Sequence, residues 1–309
     1  MHAYTLLAPA KINLLLEILG DRTDGFHELV MVLQSVDLAD LVELRPLGGE
    51  RIQIHCDHPE VPTHESNLAF KAARLMQQKF PGRGGVSATI HKQIPVGAGL
   101  AGGSTNAAAV LVGLDLMWNL GLTQGELQGL GAALGSDVPF CISGGTALAL
   151  GRGEVLSPLL DLDQLYVVLA KYRSLAISTS WAYQTYRQQF GHTYPQTPTA
   201  LEQSRRQGPS VPMVAAINHR DLTQIGSLLY NDLERVVLPQ HPQVQKLRDQ
   251  FLQFEAKGAL MSGSGSTVFG LTETRSQAET LAEQMRSVFP DPDLDLWVTK
   301  LISSGIQVA

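Results

Sequence analysis

The segment from Pro95 to Ala109, PVGAGLAGGSTNAAA, places four glycines within seven residues and follows them with small polar residues and alanines. Glycine weakens a helix or strand interior; its use is to let the backbone turn sharply or close on another group. The stretch behind it, Ser104–Asn119, reads as a strong alanine-rich helix closed by Gly121. A glycine-rich turn that opens onto a helix N-terminus presents unpaired N–H groups and a positive dipole end. A tight turn without a ligand is the plainer alternative. Four glycines joined to a Ser-Thr-Asn helix start favour a phosphate site.

Two phosphate fingerprints overlap the loop, and neither fits. GAGLAG at Gly97–Gly102 satisfies G-x-G-x-x-G. A dinucleotide site, however, wants an early strand–turn–helix unit and an acidic strand end about twenty positions on. That region here is GLTQGE, a helix–helix junction. GAGLAGGS at Gly97–Ser104 approaches G-x-x-x-x-G-K-S, but Gly103 stands where the lysine belongs. No HRD or DFG element of a protein kinase occurs. Backbone N–H groups are left as the main local donors.

The first half of the chain reads mostly as strands. Tyr4–Leu19 and Phe26–Asp37 flank the turn cluster GDRTDG, and Leu41–Cys56 reads as a hairpin about Gly48–Gly49. A helix at Asn67–Lys79 and a strand at Val86–His91 lead to the glycine loop. Thr123 and Glu126 form a capping box for a helix that Gly135 ends, and Thr146–Leu156 is a strand pair. Composition shifts at Pro158–Asp163, which divides the chain into domains 1–160 and 161–309.

In the second half, a strand Tyr166–Ala170 and a helix Thr179–Phe190 precede Gly191–Pro212, a Pro/Gln/Thr-rich stretch expected to be a mobile loop. Helices are expected at Met213–Tyr230 and Pro242–Ala256, then a strand–loop–strand around MSGSGSTVFG. A helix Ser276–Val288 and a strand Leu294–Leu301 follow.

The bulk properties narrow the function. With 309 residues, 44% of them hydrophobic, the chain can build two cores, and a net charge of −6 without basic runs excludes nucleic-acid and anionic-membrane partners. Cys56 and Cys141 suit a reducing compartment, hence the cytoplasm. The apolar N-terminal run is interrupted by Lys11, Asn13 and Glu17 and lacks a basic leader, so it reads as neither signal peptide nor membrane span.

Three segments together, APAKINLLLEILGDRTDGFHEL, PVGAGLAGGSTNAAA and LGSDVPF, resemble the GHMP kinase superfamily, and the resemblance reappears at Met261–Gly270, MSGSGSTVFG. It implies an α+β, two-domain fold. The N-terminal domain would carry an unusual left-handed βαβ crossover, the C-terminal domain would be ferredoxin-like, and the active site would lie in the cleft between them. The opening segment narrows the resemblance to kinases of cytidine-diphospho alcohols. That branch implies ATP-dependent phosphorylation of the 2-hydroxyl of 4-diphosphocytidyl-2-C-methyl-D-erythritol in a non-mevalonate route to isoprenoids. A mevalonate or homoserine type of alcohol is the alternative.

The resemblance also assigns residues. Pro95, Val96, Gly97, Ala98, Gly99, Leu100, Ala101, Gly102, Gly103, Ser104 and Thr105 would wrap the ATP phosphates, with Asn67 and Lys92 near the nucleotide. Gly263–Thr267 would form a second glycine loop beside them. Asp137, otherwise a turn or N-cap residue, and Lys11, otherwise a solvated strand lysine, would be the catalytic pair, with Asn13 sharing the Lys11 face. Phe26 and Tyr183 would stack on the cytosine while His27 bonds its edge. Mg²⁺ would accompany ATP, held mostly by phosphates and water, and no protein metal cluster is expected. Glu126 is accounted for by its capping box, and HCDHPEVPTHE at His55–Glu65 fits no zinc spacing.

Overall fold

The computed structural model describes residues 2–309. In chain order the elements of the first half are β1 (Tyr4–Asp21), β2 (His27–Leu47), β3 (Ile52–Cys56), α1 (Leu68–Lys79), β4 (Gly85–His91) and α2 (Gly102–Trp118). Then come α3 (Gln124–Ala132), α4 (Val138–Ser143), β5 (Thr146–Gly151) and β6 (Val155–Pro158). The second half holds β7 (Tyr166–Tyr172), α5 (Thr179–Phe190), α6 (Pro198–Gln207), α7 (Ser210–Asn218), α8 (Leu222–Ser227) and β8 (Tyr230–Asn231). It closes with α9 (Glu234–Gln240), α10 (Pro242–Gln253), β9 (Gly258–Met261), β10 (Val268–Thr272), α11 (Arg275–Val288), β11 (Leu294–Ile302) and β12 (Gln307–Val308).

β2 organises the first half. Its 21 residues pair with β1 along almost their whole length, with β5 at Leu29–Gln34 and with β4 at Leu41–Leu47. β1 and β2 are buried for most of their length, which explains the near-continuous apolar run of β1. β11 pairs with β7 along its length and touches β2 at Leu301–Ile302, joining the two halves. Counting β7, β9, β10 and β11 in chain order, their order across the sheet is fourth, first, third, second. All neighbours among the four are antiparallel, as in a ferredoxin-like sheet.

Several expectations need correction. Leu41–Cys56 is not a hairpin: β3 pairs in parallel with β4, and β4 pairs with β2, so β4 lies between the two supposed partners. The unit β3–α1–β4 is the βαβ crossover, and Asn67 caps its helix by accepting from the Ala69 N–H at 2.8 Å. The Gly191–Pro212 stretch is not a structureless loop. Thr197 caps α6 with Pro198 opening it, and Arg205 on that helix reaches Glu28 Oε1 at 2.5 Å. The expected helix Met213–Tyr230 is broken at Arg220, which takes a φ of 53°, and Asp221 caps α8 afresh. Tyr230 then enters β8, parallel to β1. Helices α4 and α9 and the strand β12 are additional to the sequence reading.

Candidate active site

The glycine loop lies between β4 and α2 and makes turns that side chains resist: Gly97, Gly99 and Ala101 take φ values of 61°, 74° and 59°. Ala101 occupies the N-cap position of α2 and supplies no side-chain bond, and the first turn carries no acid. The Thr105 N–H closes the first helical bond onto the Ala101 carbonyl at 2.9 Å. The N–H groups of Gly102, Gly103 and Ser104 therefore precede the helical ladder and face outward at the positive dipole end. By contrast α1, α3, α5, α6, α8 and α11 each have a side-chain cap.

A second glycine loop, Ser262–Thr267 between β9 and β10, packs against the first. Ser262 Oγ donates to the Gly99 carbonyl at 3.1 Å and accepts from the Asn13 N–H at 3.3 Å. Asn231 Nδ2 bridges the Met261 and Gly263 carbonyls at 2.8 Å each. A Cβ on Gly99 would run into the Ser262 carbonyl, so Gly99 is committed to this contact between loops.

The two loops line one part of a cavity of about 780 Å³. Pro95, Val96, Gly97, Ala98, Gly99, Leu100, Ala101, Gly102 and Gly103 are on its wall, as are Asn67 and Lys92. Ser104 and Thr105 are not. The Thr105 side chain is fully buried without a hydrogen-bond partner, so the helical turn has carried it away from the cavity. Lys92 does not extend as a free cation: its ammonium pairs with the fully buried Asp40 carboxylate. Asp40 also accepts from the Gln93 and Ile94 N–H groups at 2.8 and 2.9 Å and from Asn106 Nδ2 at 2.8 Å. This buried cluster fixes the start of the loop; the sequence reading missed Asp40.

Lys11 is only 4% exposed, on β1, with its N–H tied to the Leu100 carbonyl at 3.1 Å. Its ammonium donates to Asn13 Oδ1 at 2.7 Å and lies 3.7 Å from Asp137 Oδ2. Asp137 stands at the N-cap position of α4 but makes no capping bond, so the plain capping role does not account for its side chain. The turn from α3 into α4 aims that carboxylate at the cavity beside Lys11 and Gly263.

Phe26, His27 and Tyr183 line the cavity together with Arg152 and Arg187. Phe26 sits in the turn before β2, where Asp24 Oδ1 accepts its N–H at 3.2 Å, and the residue is 48% exposed. The Arg152 guanidinium lies 4.8 Å from the Phe26 centroid. His27 packs on Tyr183 with centroids 5.0 Å apart. Burial, aided by the Arg187 charge, lowers the His27 pKa, and Asp21 opposes that shift. The imidazole is thereby kept neutral, and its Nε2 lies 3.5 Å from Asp21 Oδ1 without forming a hydrogen bond. Burial pushes the Tyr183 phenol up, so it stays protonated.

The model of the GHMP kinases N terminal domain matches residues 67–145, and that of the GHMP kinases C terminal matches residues 213–291. The chain belongs to the GHMP kinase family. As a kinase of this family it takes ATP as a substrate. A protein of Acaryochloris marina named 4-diphosphocytidyl-2-C-methyl-D-erythritol kinase is 68% identical over 308 residues, spanning 100% of this chain and 99% of its own. One of Gloeothece citriformis with the same name is 59% identical with the same coverage. The crystal structure of a 4-(cytidine 5'-diphospho)-2C-methyl-D-erythritol kinase superposes with a TM-score of 0.74 at 31% identity, covering 96% of this chain and 98% of that one. A homoserine kinase from Cytophaga hutchinsonii superposes with a TM-score of 0.77 at 18% identity, covering 100% of this chain and 98% of that one, a likeness of fold.

Besides Asp40, the sequence reading of this GHMP kinase missed Arg152, Thr179, Gln184 and Arg187 on the cavity wall. Thr179 and Arg187 stand four residues before and after Tyr183 on α5, so helical spacing could have pointed to them, whereas Gln184, adjacent to Tyr183, carries no such signal. Nothing local distinguishes Arg152, which reaches Phe26 only through the pairing of β5 with β2.

Proposed function

We propose that the chain transfers the γ-phosphoryl group of ATP to the 2-hydroxyl of 4-diphosphocytidyl-2-C-methyl-D-erythritol. The observation that carries this reading is the Lys11–Asp137 pair at 3.7 Å, in one cavity with an uncapped helix N-terminus and an aromatic cluster. The two halves, 1–160 and 161–309, act as the two domains whose loops meet there. The full-length identity to kinases of that name supports the choice of alcohol.

Gly102 and Gly103 offer their N–H groups to the ATP phosphates, and Gly263 and Ser264 close on them from the second loop. The substrate oxygen attacks the γ-phosphorus in line as the bond to the β,γ-bridging oxygen breaks; ADP leaves and the hydroxyl proton passes to Asp137. Lys11, steadied by Asn13, orients the hydroxyl and offsets charge at the reacting oxygen. Phe26 and Tyr183 hold the cytosine, and the neutral His27 ring meets its edge.

Lys11, Lys92, Arg152 and Arg187 are the lysines and arginines on the cavity wall, and each faces a carboxylate, of Asp137, Asp40, Glu154 and Asp21. A polyphosphate therefore needs further positive charge, which Mg²⁺ supplies. The wall carries just two carboxylates, Asp137 and Glu60, and no metal-holding cluster of acids, histidines or cysteines lies among the described residues. Those donors fit an ion held mostly by phosphate oxygens and water. No helix among the described residues is long and apolar enough to cross a membrane. Free Cys56 and Cys141 and the negative net charge support a cytoplasmic enzyme acting on small molecules, with neither nucleic acid nor membrane as partner.

A phosphoryl-transfer assay offering ATP and Mg²⁺ with cytidine-diphospho alcohols, mevalonate and homoserine tests the reading. Turnover confined to the cytidine-diphospho methylerythritol is expected. Comparable turnover of mevalonate or homoserine would overturn it.

A further inference from the structure

Lys171, at the end of β7, is 2% exposed and does not line the cavity. Its ammonium points into the turn that follows and donates to three main-chain carbonyls: Tyr172 at 3.0 Å, Leu175 at 3.2 Å and Arg173 at 3.4 Å. An ammonium has three donors, and all three are used. No carboxylate forms an ion pair with it among the described residues: Asp295, its partner across β11, is taken by Arg173, and Asp293 binds the Ser174 N–H and hydroxyl. A buried lysine without a counter-ion is costly to keep charged. Here the charge gathers carbonyls that the turn could not otherwise bring together.

That turn reaches both glycine loops. Ser266 Oγ donates to the Leu175 carbonyl at 2.6 Å, and Thr179 Oγ1 lies 2.9 Å from Ser264 Oγ. Ala176 Cβ sits 3.3 Å from where a Gly97 Cβ would be, and Ile177 Cδ1 lies 3.3 Å from the corresponding point on Gly265. The residues 175–179 thus touch the first loop once and the second three times. The Lys171 ammonium organises the turn that spaces them.

We infer that Lys171 is a positioning residue for ATP, acting through the 172–179 turn to set the two glycine loops at the distance that grips the phosphates. The inference rests on the reading that these loops hold ATP. It places the larger effect on ATP, since the turn touches both glycine loops directly and bears on the alcohol's side through α5, which begins at Thr179 and carries Tyr183. It also makes ATP affinity depend on the lysine's charge, because a neutral amine has two donors for three carbonyls. Burial lowers the Lys171 pKa, against which the carboxylates of Asp293, Glu60 and Asp295 act. Tyr172 and Arg173 are the other ionisable groups of the turn.

Lys171→Met, which keeps the length and removes the charge, tests this with steady-state kinetics for both substrates from about pH 7 to about pH 10. The kcat/KM for ATP should fall on the order of tenfold to a hundredfold, the effect of a displacement approaching 1 Å at a reacting group, while the KM for the alcohol changes less. The wild-type KM for ATP should climb on the alkaline side before the ordinary lysine range, and the variant's should not. Normal ATP kinetics in folded Lys171→Met, or equal losses for both substrates, would overturn the inference. If that variant does not fold, Ser266→Ala and the wild-type profile decide: an unchanged KM for ATP in Ser266→Ala with a flat wild-type profile overturns it. Failure of the underlying site reading registers differently, as unchanged ATP affinity in Gly103→Ala.

Discussion

Gly103→Ala separates phosphate binding from folding better than any other glycine in the loop. A Cβ there would meet Leu68 Cδ1 at 3.8 Å, an ordinary contact, and Gly103 lies within α2, where alanine is the better helix former by up to ~1 kcal/mol. The folded protein should therefore be as stable as the wild type or slightly more so. Every Cβ of a helix tilts toward its N-terminus, so the new methyl group stands where the phosphate must come to reach the Gly103 N–H. Losing one charge-assisted hydrogen bond costs about 1.5–3 kcal/mol, or roughly tenfold to a hundredfold in the Kd for ATP. Calorimetric titration of MgATP measures that loss, and a thermal melt without ligand checks the fold. Gly99→Ala is the contrast: its φ of 74° and its collision with the Ser262 carbonyl should lower the melting temperature as well as the affinity. Wild-type affinity in a folded Gly103→Ala protein would refute the claim that this helix end holds the phosphates.

Asp137→Asn should lower kcat on the order of 10²–10⁴-fold with little change in either binding constant. Lys11→Ala should do similar damage and the double variant barely more; additive losses in single-turnover assays would mean two independent roles. Tyr183→Ala should weaken binding of the cytidine substrate by roughly 1–3 kcal/mol and spare ATP, whereas Tyr183→Phe should be mild. An unchanged substrate constant in Tyr183→Ala would remove it from the base site. Burial, with Asp232 nearby, raises the Glu17 carboxyl from 4.5 to about 7. Between those values the unfolded chain has released a proton that the folded one keeps, so Glu17 makes stability fall as pH rises. Thermal melts of Glu17→Gln should match the wild type near pH 4.5 and exceed it above pH 7; parallel curves would discount the group.

Features carried by short-range physics were legible in the chain. Glycine density at 97–103 and the alanines behind it specify a turn and a helix whatever surrounds them, because both follow from backbone freedom and local propensity. The capping box of Thr123 and Glu126 forms with both its bonds, since its partners are three residues apart. Lys11 and Asn13 share a face because strand side chains alternate, and their hydrogen bond follows. What depends on distant segments was not legible. Whether β3 pairs with β2 or β4 is settled by α1 returning the chain alongside β3, a choice the turn at Gly48–Gly49 cannot register. A Pro- and Gln-rich stretch became α6 where Arg205 could dock on Glu28, far away in sequence. Ser104 and Thr105 belong to the glycine segment, yet the helical turn takes Thr105 into the interior, while the glycines remain at the cavity. The charge of Lys92 is absorbed by Asp40, and the approach of Asp137 to Lys11 needs α4 packed beside β1. Local sequence determines the conformations a segment favours; tertiary packing decides which charges meet, because ion pairs and strand partners are chosen among groups that only the folded chain brings within reach.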